Sequence, residues 1–109
     1  MKPRKMQPKN IPARDEKRAF RFYRDLFDFL QDGADVERHL LVDGEDITFF
    51  ESQEMVDVEI LARDHEEETR NHLINYYIDF KESDDVDPKK IRFNFADSEG
   101  NNISLQVNR

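Results

Sequence analysis

The run from Phe95 to Val107 restricts the possible folds of this chain more than any other stretch. Asp97-Ser98-Glu99-Gly100-Asn101 offers side-chain acceptors for turn amides and a glycine free to take positive φ. After it, Ile103, Leu105 and Val107 alternate with Asn102, Ser104 and Gln106. Before it, Ile91, Phe93 and Phe95 alternate with polar residues. A period of two on both sides of a tight turn is a β-hairpin with one buried face.

Helical spacing occurs once with equal clarity. Phe20, Tyr23, Phe27 and Leu30, with Ala19 and Leu26 beside them, follow Asp15, a good N-cap, and Glu16. Strand patterns fill much of the remainder. The alternation Val36 to Val42 is joined by Asp43-Gly44, a two-residue hairpin signal, to a strand from Asp46 to Ser52. An edge strand is expected from Met6 to Ala13, because Pro8 and Pro12 cannot donate to a ladder. With a short strand near Phe27 to Gln31, the first half reads β-α-β-β-β.

The second half repeats this order. Val56, Val58 and Ile60 alternate with Asp57, Glu59 and Leu61. Asp64 is expected to start a helix whose buried side carries Thr69, Leu73 and Tyr76 or Tyr77. Ile78 to Glu82 reads as a strand, Ser83 to Pro88 as an acidic loop, and the hairpin supplies two more strands. The expectation is an α+β fold: one domain over 1–109, with paired βαβββ modules at about 5–53 and 54–109. They would form a curved mixed sheet with helices on its convex side.

Composition narrows the function classes. With 17 Lys and Arg against 25 Asp and Glu, the net charge of −8 disfavours nonspecific nucleic-acid binding. The basic residues of Met1 to Arg14 read as a solvated terminus, or as a weak lure for polyanions. The absence of cysteine removes disulfides, zinc-thiolate sites and thiol catalysis. No apolar run suits a signal peptide or a membrane span, so the expectation is a cytoplasmic protein without membrane contact.

The run from Asp15 to Phe29, with Arg21-Phe22-Tyr23 and Leu26 at its centre, resembles the first-helix signature of the vicinal oxygen chelate superfamily. That superfamily includes glyoxalases, bleomycin- and fosfomycin-resistance proteins and extradiol dioxygenases. Asp97 to Leu105 resembles its closing Asp-Pro-Asp-Gly-Asn-x-Ile-Glu-Leu. The resemblance implies four metal-ligand positions, which fall here at Pro8, Thr48, Asp57 and Ser104. Only Asp57 is an ordinary ligand, so the expectation is no metal and no cofactor.

Other chemistry is weak. His39, His65 and His72 share no evident site, and three glycines make no phosphate loop. Ser104 with a histidine and Asp57 form a nucleophilic trio only on paper. Glu66-Glu67-Glu68 reads as a solvated first helical turn. Asp84-Asp85-Val86-Asp87 has the composition of a calcium loop without its spacing.

What remains is a cup with converging polar groups, the usual form of a small-molecule site. Its expected ligand-binding residues are Thr48, Phe50, Asp57, Glu59, Leu61, Asn94, Ser104 and Gln106, with His39 nearby. Asp57 and Glu59 favour a small polar or cationic ligand; no catalytic residue can be named. The alternatives are an interaction or scaffolding domain that uses its weakly paired edge to form a homodimer, and a metal-dependent lyase or dioxygenase.

Overall fold

The computed structural model describes all 109 residues and contains nine strands and two α-helices. In chain order these are β1 Pro3–Gln7, β2 Asn10–Ala13, α1 Glu16–Phe27, β3 Leu30–Asp32, β4 His39–Val42 and β5 Glu45–Glu51. They continue as β6 Asp57–His65, α2 Glu66–Asn75, β7 Lys81–Asp84, β8 Lys90–Ala96 and β9 Asn102–Asn108. No helix is long and apolar enough to cross a membrane.

The two modules share one topology. In the first, the strand order is β2-β5-β4-β3; in the second, β6-β9-β8-β7. In each, the opening strand runs parallel to the last and the other pairs are antiparallel. The sheet expected as one is divided into four- and five-stranded hydrogen-bonded ladders. The division lies at the strand expected from Met6 to Ala13. Its first part, β1, adds to the far side of β6, with Met6 opposite Ile60. Its second part, β2, pairs with β5, with Ile11 opposite Phe49.

Each sheet buries one face. In β6, Val58, Ile60 and Ala62 are buried while Asp57, Glu59 and Arg63 are exposed. In β9, Ile103, Leu105 and Val107 are buried. These faces and the helices close one core of 20 residues drawn from both modules. The stripe of α1 supplies Ala19, Phe20, Tyr23, Leu26 and Phe27. Phe27 stacks on Phe95 of β8 with centroids 6.2 Å apart, so the first helix contributes to the second module's core.

Local chemistry sets the element ends. Asp15 caps α1 by accepting from the Arg18 amide at 3.1 Å, and Asp28 ends it in the left-handed region. Asp43 and Gly44 both take positive φ, as the expected hairpin requires.

Six expectations are corrected. Leu30, placed on the helix stripe, is exposed in β3, because the left-handed Asp28 ends α1 at Phe27. Ser83 and Asp84, placed in the acidic loop, belong to β7, where they pair with Arg92 and Ile91. Val36 is exposed, in a single 3-10 turn over Asp35–Glu37, so the strand begins only at His39. β6 runs on through Asp64, whose buried carboxylate accepts from the Lys2 amide at 2.7 Å; α2 therefore starts at Glu66. Tyr76 and Tyr77 lie beyond α2 and are exposed. Ile78 belongs to the helix-ending turn, its amide donating to the Leu73 carbonyl at 2.9 Å, and β7 starts only at Lys81.

Candidate functional site

The two stretches that carry the family resemblance meet each other. Glu99, with its side chain 1% exposed, accepts from the Asp15 amide at 2.9 Å and from Arg18 Nε and Nη2 at 2.7 and 3.0 Å. Buried Asp97 accepts from four donors: the amides of Glu99 and Asn101, the Asn101 side chain, and the Tyr23 hydroxyl at 2.7 Å. Asn101 then donates to the Pro12 carbonyl at 3.0 Å and accepts from the Val56 amide at 2.9 Å. One turn thus ties the start of α1, the edge strand β2 and the intermodule link together. Burial and the Asp97 carboxylate push the Tyr23 hydroxyl well above its ordinary pKa. Tyr23 is a neutral donor here, and these motif residues form a structural clamp.

The side chains left for chemistry lie on the open face of the second sheet. A depression of about 470 Å³ is lined there by Asp57, Glu59, Asn94, Ala96, Asn102 and Ser104, with backbone between them. Parity on neighbouring strands explains the convergence. Asn102 stands opposite Asp57, Ser104 opposite Glu59, and Asn94 opposite Ser104. Asn102 donates to Asp57 at 3.4 Å, and Asn94 donates to Ser83 at 2.9 Å.

Beside this depression lies a network the sequence reading omitted. Arg92 Nε donates to Asp85 at 2.7 Å, and its Nη1 donates to the Ser104 hydroxyl at 2.9 Å and Glu59 at 3.4 Å. Gln106 donates to the other Asp85 oxygen at 2.8 Å. Hydrogen bonding from Arg92 foremost holds the Asp85 carboxyl below its usual range, with the Asp87 amide and Gln106 assisting against burial. The signal for Arg92 was available. It sits two residues before Asn94 in an alternating strand, hence on the same face.

Of the expected binding residues, Asp57, Glu59, Asn94 and Ser104 are brought together. Gln106 is nearby but bonded to Asp85, and Leu61 lies further along the face, near Gln7 and Glu59. Thr48 and Phe50 stand apart on the other sheet, where the Thr48 hydroxyl donates to Asn10 at 3.0 Å. No residue of the first module lines the depression. The histidines stay dispersed. His39 is on β4, His65 contacts the Arg109 carbonyl at 3.2 Å, and His72 contacts the Leu26 carbonyl at 2.6 Å.

Of the four positions where the resemblance implies metal ligands, only Asp57 carries an ordinary ligand. Pro8 has no donor atom, Thr48 is engaged with Asn10, and Ser104 already faces the Arg92 guanidinium. No three His, Asp or Glu side chains cluster closely enough to hold an ion. The Ser104 hydroxyl accepts from Arg92 Nη1, which also donates to Glu59 on the neighbouring strand. The lining offers two carboxylates, two amides and a hydroxyl over a shallow floor.

No family model and no curated protein matches the chain. Solved structures do match in fold. Lactoylglutathione lyase from Agrobacterium tumefaciens superposes with a TM-score of 0.73 at 14% identity, covering 90% of this chain and 89% of that one. The fosfomycin resistance protein FosX from Listeria monocytogenes gives 0.68 at 13% identity, covering 92% and 89%. A virulence protein from Salmonella typhimurium gives 0.72 at 12% identity, covering 92% and 93%. At such identities the likeness concerns the fold alone.

Proposed function

For a chain with the vicinal oxygen chelate fold seen in glyoxalase and fosfomycin-resistance structures, we propose the role of a small-molecule-binding module that works without a metal ion. The observation that carries this reading is the depression of about 470 Å³ floored by short side chains and flanked by Asp57 and Glu59. Small-molecule sites commonly span roughly 300–1,000 Å³ and orient their ligands with a few polar groups. Asp57 and Glu59 supply negative charge, while Asn94, Asn102 and Ser104 offer donors and acceptors. A small polar cation, such as an amine or a guanidinium, matches that lining.

Thermal-shift measurements with a panel of amines, guanidines and neutral polar controls test the reading. At a concentration of about 100 Kd a cationic ligand adds about 2.7 kcal/mol of stability, a readable rise in midpoint. The double variant Asp57→Asn/Glu59→Gln is expected to weaken binding by about tenfold or more while the fold persists, because both side chains are exposed. No shift with any compound, or equal shifts in the double variant, overturns it.

A further inference from the structure

The other side of the molecule carries three locally unfavourable features on one surface. Lys17 and Arg21, four residues apart on α1, are like charges on adjacent turns, an arrangement that destabilises a helix. Arg18, Arg24 and Arg38 each pair with a carboxylate, whereas Lys17 and Arg21 pair with none. Tyr77 adopts φ +58° at the helix-ending position where glycine is favoured, and its side chain is 95% exposed. Ile74, Tyr76 and Val36 are exposed as well.

Lys17, Arg21, Val36 and Tyr76 line two grooves that share Arg21, and Tyr77 sits in the chain between the lining residues Tyr76 and Ile78. One, about 320 Å³, runs between α1 and the segment after α2, with Phe22, Leu26, Tyr76 and Ile78 among its lining. The other, about 250 Å³, has Phe20 and Val36 with Lys17 and Arg38 around them. Each groove also has a carboxylate in its lining, Asp25 in one and Asp35 in the other, but both pair with Arg24, so Lys17 and Arg21 remain as uncompensated positive charge beside the apolar side chains.

We propose that the face along α1 docks an acidic segment of a protein partner, with a leucine or aromatic side chain in the groove and carboxylates on Lys17 and Arg21. Two unpaired cations are too few for a nucleic acid, whose binding rests on neutralising many phosphates. Carboxylates held four residues apart on Lys17 and Arg21, with an apolar side chain in the groove between α1 and the segment after α2, would fix the partner's register. The surface lies on the helix side, away from the depression, so the two proposals stand or fall separately.

The test is selection of random displayed peptides on the full chain, followed by titration of the enriched peptides against variants. Enriched sequences are expected to carry Asp or Glu beside Leu, Phe or Trp. Arg21→Glu is expected to weaken them by about tenfold or more. Tyr77→Gly is expected to raise the unfolding midpoint by about 4 °C, by relieving the left-handed tyrosine, while weakening peptide binding by about threefold. A stabilised variant that binds less cannot be explained by misfolding. The proposal is overturned by selection without acidic enrichment or by peptides indifferent to Arg21→Glu. It is equally overturned if the chain alone self-associates in sedimentation through Arg21, which makes the occupant a second copy.

Discussion

Replacing Asp97 by alanine lowers the thermal unfolding midpoint by roughly 15 °C, a loss of about 4 kcal/mol at about 4 °C per kcal/mol for a domain of this size. The size follows from what the side chain satisfies. Its two oxygens accept from the Glu99 and Asn101 amides at 2.8 and 2.9 Å, the Asn101 side chain at 2.9 Å and the Tyr23 hydroxyl at 2.7 Å. Alanine leaves these donors buried without a partner, and each unsatisfied group costs about 1–3 kcal/mol. Relaxation and entering water recover part of that sum.

Two milder variants separate the clamp from general damage. Asp97→Asn keeps one acceptor but turns an amide towards existing donors, with an expected loss of about 2 kcal/mol. Tyr23→Phe removes one donor and leaves Asp97 three others, with an expected loss of about 1 kcal/mol. Combined, the two should lose less than their sum, since they act on one bond. Chemical denaturation reads all three. If Asp97→Ala falls within about 1 kcal/mol of the parent, the turn does not clamp the modules.

The clamp also explains why so much of this fold was legible from sequence. Acceptor-rich turns, a helix stripe from Ala19 to Phe27 and strands of strict alternation encode local geometry, and each produced its element. Partner choice is not local. Nothing within Met6 to Ala13 tells that β1 pairs with β6, some fifty residues away, while β2 pairs with β5. Val36 fits an alternation with Arg38 and Leu40, yet the chain prefers a single helical turn there and leaves it exposed.

The open face shows the same division. Period-two parity put Asp57, Glu59, Asn94 and Ser104 on one surface, because it requires only the strands themselves. It could not tell that Thr48 and Phe50 belong to a separate ladder. Nor could it tell that the acidic loop folds back, bringing Asp85 onto Arg92 and Gln106. Long-range contacts of that sort leave no trace in local pattern.

Acid should weaken this protein through Glu99. Burial alone would raise its pKa, but hydrogen bonds from Arg18, the Asp15 amide and Ser98 outweigh it and bring the carboxyl to about 2, against an ordinary 4.5. A carboxyl depressed in the folded state contributes its full stability above the unfolded value and loses it as pH falls through the folded one. The loss therefore develops between pH about 4.5 and about 2. Such a shift corresponds to about 3 kcal/mol, reduced to about 2 kcal/mol because Arg18 is half-exposed and its charge partly screened. Glu82 and Asp85 are depressed by Arg70 and Arg92 and act in the same direction. Urea unfolding across this range should show stability falling with pH, less steeply in Glu99→Gln, which is weaker at neutral pH but has one fewer proton to take up. Equal slopes in parent and variant would show that the Arg18–Glu99 pair does not couple folding to protonation, and the electrostatic half of the clamp would have to be abandoned.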